Sequence, residues 1–379
     1  MKGIESADKC QKSKIACILN YPSHYRENIF LKMEDCLDCD FYFGDIEEGK
    51  IKKIDYSFFN KNISNLNTKA LIHNFNWITG TIPLLFNKNY HKYVLTGDPF
   101  IVSNWFFLIL NIATRKEVFL WGHGWYGREG RIKKILKRTF FKMADGVFLY
   151  GNYAKKLMES VGFDKQKLHV IYNSLDYEAQ LKIRRTLKPS KVFQDYFKNN
   201  NPVLIFTGRL TKVKKIDLLI EAHELLYQKG IKLNVLILGN GSEKERLEKA
   251  VNSKGLTKYY WFYGECYDEE KIGAFYFNAR VCISPGNVGL TAIHSMSYGC
   301  PVITHDNFTR QMPEFETIEP NKTGMFFKEN NVDDLARCIE EFTKNTISGE
   351  EVRENCFGIV DEYYNPNYQI KLFNKVLSR

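Results

Sequence analysis

What this chain lacks removes several classes of function. No GxGxxG turn follows the first apolar run, Ile15–Leu19, so the fingerprint of a dinucleotide-dependent oxidoreductase is missing. The most apolar window, Phe100 to Ile112, contains Ser103 and Asn104 and is too short to span a bilayer. The N-terminus is polar and predicts no secretory signal. The nine cysteines are odd in number and scattered, mostly within apolar runs, which fits a reducing compartment better than a disulfide framework. Cys36 and Cys39 form a CxxC pair, but no second pair follows at zinc spacing, and no metal site is expected. Repeats of fixed period and low-complexity tracts are absent.

What remains is a chain of 379 residues, 44% hydrophobic and 15% aromatic, long for one core and comfortable for two. Its charge of +10 is uneven. Residues 1–190 hold 30 Lys/Arg against 19 Asp/Glu, and residues 191–379 hold 24 against 25. The basic surplus of the first half suits an anionic partner: a phospholipid surface, a phosphorylated acceptor or nucleic acid. No recognised nucleic-acid module accompanies it, and no nucleic-acid partner is expected.

Short apolar runs alternate with helical patterns along the whole chain, which predicts βαβ units around parallel sheets. Strands are expected at Ile15–Leu19, Tyr93–Thr96, Glu117–Trp121, Gly146–Tyr150 and Leu168–Tyr172. They restart at Val203–Phe206, Leu233–Leu238, Tyr260–Phe262, Val281–Ser284 and Val302–Thr304. The polar, proline-flanked stretch between reads as a linker. The expected organisation is a Rossmann-like domain at 1–185, a linker at 186–202, a second Rossmann-like domain at 203–345, and a helical tail at 346–379 that packs back on the first domain. The fold class is α/β, with two doubly wound domains facing across a cleft. Ligands of such sheets sit off the C-terminal strand ends.

Four strand ends of the second half carry chemistry. In "FTGRLTKVKK", Gly208 lets the backbone turn, and Arg209 and Lys214 can place a planar fork and a point charge on one diphosphate. A solvated basic loop is the bland alternative. In "LGNGSEKERL", Gly239 and Gly241 close a strand, and Ser242 can cap the next helix. In "WFYGECYDEE", Gly264 follows a short strand and Tyr267 lies just beyond. In "SPGNVGLTAIHSMSYGCPVIT", Gly286, Asn287, Gly289, Leu290 and Thr291 lead into a helix whose N–H groups and dipole favour an anion. Each turn is weak alone.

Their order and spacing, GRL-x3-K, GxG, FxG and PG-xx-GLTAIHSMxxGxPVI, then "MPEFE" and "NKTGMFF", resembles the nucleotide-sugar domain of family 4 of the retaining glycosyltransferases, with the GT-B fold. The resemblance covers about residues 202–342. It implies that Arg209 and Lys214 grip a UDP- or GDP-sugar diphosphate without a metal or other cofactor. It also implies that Gly289, Leu290 and Thr291 offer backbone contacts, and that Gly264 and Tyr267 lie near the base. The family usually carries two glutamates eight residues apart; here Gly286 and His294 stand in their places. A neutral imidazole offers one donor and one acceptor, so His294 is expected to substitute for the ribose-binding carboxylate, and His294→Glu is expected to be partly tolerated. Glu314 of "MPEFE" is expected to help hold the donor.

The first half matches more loosely. "NYPSHYRENIF", with Arg26, replaces the paired glycines common after the first strand. In "VFLWGHGWYG", His123 sits past a strand end between glycines, and the resemblance implies a place beside the donor sugar. "VIYNSLDY" matches the junction before the second domain, with Asn173 and Asp176 in place and Ser174 for a glycine. Asp38-Cys39-Asp40 is formally a DxD motif but reads as a solvated loop. The segment Arg128 to Lys142 holds seven Lys/Arg and one Glu. Its apolar residues, Ile132 and Ile135 among them, are expected in the core. Arg131, Lys133, Lys134, Lys137 and Arg138 would form a basic face toward an acceptor or an anionic membrane.

The expected function is transfer of a sugar, with retention, to a hydroxyl of a glycan acceptor, lipid-linked, in bacterial surface polysaccharide synthesis. The expected place is cytoplasmic, peripheral on the inner face of the cell membrane. The rivals are a nucleotide-sugar epimerase or hydrolase of the same fold, and a non-catalytic nucleotide-sugar-binding partner.

Overall fold

The computed structural model describes residues 14–46, 52–60, 63–344 and 349–378. The central strands of both halves are buried on both faces, as parallel strands covered by helices on both sides require. In the first half these strands are β1 (Lys14–Leu19), β2 (Cys39–Phe43), β3 (Ile63–Asn65), a hairpin of β4 (Thr68–Ala70) and β5 (Asn76–Ile78), β6 (Tyr90–Thr96), β7 (Glu117–Gly122), β8 (Gly146–Leu149) and β9 (Leu168–Val170). Apart from the hairpin they form one parallel seven-stranded sheet in the order β3-β2-β1-β6-β7-β8-β9. In the second half β10 (Val203–Thr207), β11 (Asn234–Leu238), β12 (Tyr260–Gly264), β13 (Val281–Ser284), β14 (Val302–His305) and β15 (Gly324–Phe327) form a parallel six-stranded sheet, β12-β11-β10-β13-β14-β15.

Helices cover both faces. The first half has α1 (Glu27–Leu37), α2 (Thr81–Leu85), α3 (Val102–Thr114), α4 (Arg131–Lys142) and α5 (Asn152–Ser160). After β9 come α6 (Tyr177–Thr186), α7 (Val192–Phe197), α8 (Ile216–Gln228), α9 (Lys244–Ser253), α10 (Glu269–Asn278) and α11 (Thr291–Ser297). The chain ends in α12 (Val332–Lys344), α13 (Gly349–Tyr363) and α14 (Pro366–Leu377). Alternation along β1 divides the first core. Ile15, Cys17 and Leu19 pack toward α1 and α14, while Ala16 and Ile18 pack toward α3 and α4.

The strand order reverses between β1 and β6 in one sheet and between β10 and β13 in the other. Those two switch points, where crossovers leave toward opposite faces, open a crevice at the C-terminal strand ends.

Three expectations change. The stretch 186–202 is not a bare linker: it contains α7, whose Phe193 and Phe197 are buried in the second core, with Phe193 stacked on Phe275. Its polar letters hid two aromatic anchors. Of the tail at 346–379, α13 buries Val352, Cys356 and Val360 in the second core, and only α14 packs against the first sheet, through Phe373 on Phe148 and Trp121. Asp38-Cys39-Asp40 is not a solvated loop. Asp38 ends α1 in a left-handed conformation, Cys39 is buried in β2, and Asp40 pairs with Lys14 at 2.8 Å and accepts from Tyr90. Among the described residues no helix is long and apolar enough to cross a membrane.

Candidate functional site

The switch point of the second sheet opens a cavity of about 280 Å³ lined by Thr207, Gly208, Arg209, Gly239, Asn240, Glu265, Cys266, Tyr267, Thr291 and His294. It therefore gathers turns from four strand ends that lie far apart in sequence. The Gly208 and Gly239 turns interlock: Gly208 N–H donates to Leu238 O at 3.0 Å, and Leu210 N–H to Asn240 O at 2.9 Å. Gly264 does not line the cavity. Its carbonyl accepts from Gly239 N–H at 2.8 Å, and its φ of 90° turns the chain so that Glu265, Cys266 and Tyr267 line it instead. Gly241 packs against Leu210 and is likewise outside it. Tyr267 is largely exposed at the rim, where Lys52 of the first half sits 5.0 Å from its ring.

Lys214 donates to Asn287 O at 3.0 Å and to its Oδ1 at 3.2 Å, which ties the basic loop to the turn before α11. Burial lowers its pKa, helped by the cation of Arg209 and opposed by Glu314. The same loop explains Gly286. A Cβ there would lie 2.1 Å from Val213 O and 2.8 Å from Lys214 Cα, and Gly286 N–H donates to Lys214 O at 3.1 Å. No side chain fits at 286 while the loop holds this position.

His294 lines the cavity from α11, and its Nε2 lies 2.8 Å from Glu269 Oε1. The same carboxylate accepts from Tyr298 OH at 2.7 Å and from Gln180 Nε2 at 3.1 Å. Burial works to raise the Glu269 pKa, but His294 and these hydrogen bonds win and hold it at about 2. The residue reads as one more charge in the first turn of α10; no local signal announces a partner 25 positions away.

A second cavity, of about 420 Å³, opens at the switch point of the first sheet. It joins Asn20, Thr96, Gly97 and Asp98 to His123, Tyr126 and Tyr150. The His123 ring lies between Tyr126 and Tyr150, with centroids 5.8 and 4.8 Å away. Burial, with Arg26 and Lys137 nearby, lowers its pKa to about 4, so the imidazole is neutral at neutral pH. Its Nδ1 has no hydrogen-bond partner among the described residues. Arg26 reaches the same cavity with its guanidinium 4.9 Å from the Trp121 ring. Lys137 also points inward, donating to Gly124 O at 2.9 Å and to Glu129 at 2.8 Å, so it leaves the outward basic face. Asp98, absent from the expected site, lines this cavity with its carboxyl pKa raised by burial.

The segment after β14 runs from the His123 cavity to the turn that leads into the other. Met312 lines the His123 cavity and also packs against Gly289. Glu314 is buried; its Oε1 accepts from Asn173 at 2.9 Å, and its Oε2, without a hydrogen-bond partner among the described residues, lies toward Gly289. Burial raises its pKa. Glu316 binds the two halves together by accepting from the N–H groups of Asn152 (2.7 Å) and Tyr153 (2.6 Å) at the start of α5. Gly286, Asn287, Gly289 and Leu290 line neither cavity but lead into Thr291, which lines the Arg209 cavity; Arg131, Lys133, Lys134 and Arg138 also line neither and are exposed on α4. Ile132 and Ile135, expected in the core, are exposed beside them. Phe140 and Phe141 anchor α4 from its other end.

Residues 188–357 match the family described as Glycosyl transferases group 1. The "Uncharacterized 41.2 kDa protein in cps region" of Klebsiella pneumoniae is 23% identical over 276 residues, 72% of this chain and 66% of that protein. The "Poly(ribitol-phosphate) alpha-N-acetylglucosaminyltransferase" of Staphylococcus aureus (strain COL) is 29% identical over 161 residues, 41% of this chain and 31% of that protein. The chain thus spans between about a third and two thirds of the length of these curated relatives. The solved structure of Anabaena Alr3699/HepE in complex with UDP superposes with a TM-score of 0.69 at 15% identity, covering 96% of this chain and 99% of that one. Residues 188–357 are a glycosyl transferases group 1 domain, set in a chain with the two-domain fold of the GT-B glycosyltransferases.

Proposed function

We propose that the protein transfers a sugar from a nucleotide-diphosphate sugar to a hydroxyl of a glycan acceptor, with retention of configuration. The observation that carries this reading is the pair of switch-point cavities, one from each sheet, with Met312 of the His123 cavity packed beside Gly289, just before Thr291 of the Arg209 cavity. A donor in the Arg209 cavity would direct its sugar past Gly289 toward His123.

In this reading Arg209 and Lys214 meet the charge that develops on the departing diphosphate, with the N–H groups of Gly289, Leu290 and Thr291 beside them. Preorganised charge of this kind is usually the largest catalytic contribution, and these cations take the part that a divalent metal plays elsewhere. Neutral His123 offers a hydrogen bond to the donor sugar without adding a second cation. His294, fixed by Glu269, contacts the ribose. Glu314 holds the donor from the opposite wall. The acceptor occupies the aromatic cavity around Arg26, Tyr126 and Asp98.

The Staphylococcus aureus relative is named for a poly(ribitol-phosphate) acceptor, which favours a polymer as the acceptor here. A lipid-linked glycan, met on the inner face of the membrane, is the proposed form. The test is incubation with a panel of UDP- and GDP-sugars, with and without glycan primers, reading released nucleoside diphosphate. Release that depends on a primer supports transfer. An epimer formed from the nucleotide sugar alone would replace this reading with the epimerase.

A further inference from the structure

Helix α3 is built inside out. Its inward face carries Ser103, Asn104 and Asn111 beside Phe107 and Leu108. Its outward face carries Phe106, Ile109, Leu110 and Ala113, spaced i, i+3, i+4 and i+7, and all four are exposed. Phe106 is 49% and Ile109 50% exposed. A solvated crossover helix should be polar on that stripe. Here the inward amides reach backbone carbonyls instead: Asn104 Nδ2 donates to Thr96 O at 2.9 Å and Asn111 Nδ2 to Lys116 O at 2.7 Å.

Helix α4 lies beside it. Both helices rest on the same face of the first sheet, and Trp105 of α3 packs on Phe140 of α4 with ring centroids 5.1 Å apart. Ile132 is 84% and Ile135 68% exposed. Around them stand Arg131, Lys133, Lys134, Arg138 and Lys142, all exposed, and neither helix contains an acidic residue. The two helices therefore present aliphatic and aromatic residues outward, and the charged residues they carry are all cations.

We infer that the paired outer faces of α3 and α4 seat the protein on an anionic lipid surface, with Phe106, Ile109, Ile132 and Ile135 entering the headgroup region. Charge complementarity selects this occupant. Protein interfaces deplete lysine around their apolar centres, whereas an interfacial helix mixes lysine with large apolar residues and gains from anionic headgroups. The placement also bears on the acceptor. Lys137 on the inner side of α4 lines the His123 cavity, and Lys133 sits 5.8 Å from the ring of Phe100, which lines the same cavity. The surface that meets lipid thus borders the proposed acceptor site, so an acceptor held in that lipid layer reaches His123 without leaving it. This last point rests on the transferase reading; the surface itself does not.

The test is co-sedimentation with phosphatidylcholine vesicles, with and without an equal part of phosphatidylglycerol, in the absence of any nucleotide sugar. The parent is expected to sediment only with the phosphatidylglycerol vesicles. Ile132→Glu/Ile135→Glu and Phe106→Ser/Ile109→Ser, both at exposed sites and checked for native circular dichroism, are expected to stay in solution. No binding by the parent, or unchanged binding by both variants, overturns the inference. So does a lipid-free dimer of the parent that Ile132→Glu/Ile135→Glu dissolves, because the face would then belong to a second copy. None of these outcomes bears on donor turnover, which is measured separately.

Discussion

His294 Nε2 lies 2.8 Å from Glu269 Oε1, so the carboxylate absent from position 294 stands one residue removed, behind an imidazole. Glu269 fixes the ring, and the ring faces the cavity. Glu269→Gln is expected to weaken nucleoside diphosphate binding roughly tenfold, the size of one charge-assisted hydrogen bond, and His294→Ala at least as much. The pairing also revises the expectation for His294→Glu. Two carboxylates at this distance repel, so His294→Glu alone should bind worse than the parent, and Glu269→Gln/His294→Glu should recover part of the loss. Titration calorimetry with UDP and GDP measures all four.

Gly286→Ala places a methyl group 2.1 Å from Val213 O. The obstacle is backbone, so no neighbouring rotamer relieves it. A loss of about 1–3 kcal/mol is expected, read as a lower melting temperature, together with weaker nucleotide binding as Lys214 is displaced. Gly286→Glu should be worse in both respects, which explains why a glutamate at 286 alone would not restore the usual pair.

The His123 pKa near 4 makes acid stability a test. Below the ordinary value of about 6.5 the unfolded chain takes a proton that the folded ring refuses, so stability falls as pH drops from about 6.5 toward 4. Glu269, held at about 2 against an ordinary 4.5, gives stability that is present above about 4.5 and is lost as pH falls toward 2. His223, lowered to about 4 by burial, shares the first window. The difference between parent and His123→Gln in melts across pH isolates His123; a parallel pair of curves would contradict its lowered pKa.

Arg209→Ala and Lys214→Ala should each lower the rate of transfer by about 10²–10³ with the fold intact, as removal of a preorganised charge partner does. Lys214→Ala also removes the tie to Asn287, so its loss should include weaker binding. Steady-state kinetics separate the two effects.

Much of this was legible in the sequence because strands covered on both faces leave continuous apolar runs, and glycines that end them leave fixed spacings. β10, β13 and β14 fall where Val203–Phe206, Val281–Ser284 and Val302–Thr304 indicate. What was not legible is tertiary. The apolar letters of α3 suit a buried helix, yet its asparagines face inward and Phe106 and Ile109 outward. Helical spacing cannot say which stripe of α4 meets the sheet, and Ile132 and Ile135 fall on the exposed one. Glu269 and Asp98 carried no motif, and Glu269 acquires meaning only once α10 packs against α11.

The central claim is that the Arg209–His294 cavity binds the diphosphate of a nucleotide sugar. Calorimetric titration of the parent and of Arg209→Ala with UDP and with GDP tests it most directly. Saturable binding of one nucleotide by the parent, abolished in Arg209→Ala, is the expected result. Binding of neither nucleotide by the parent, or equal binding by Arg209→Ala, would contradict it.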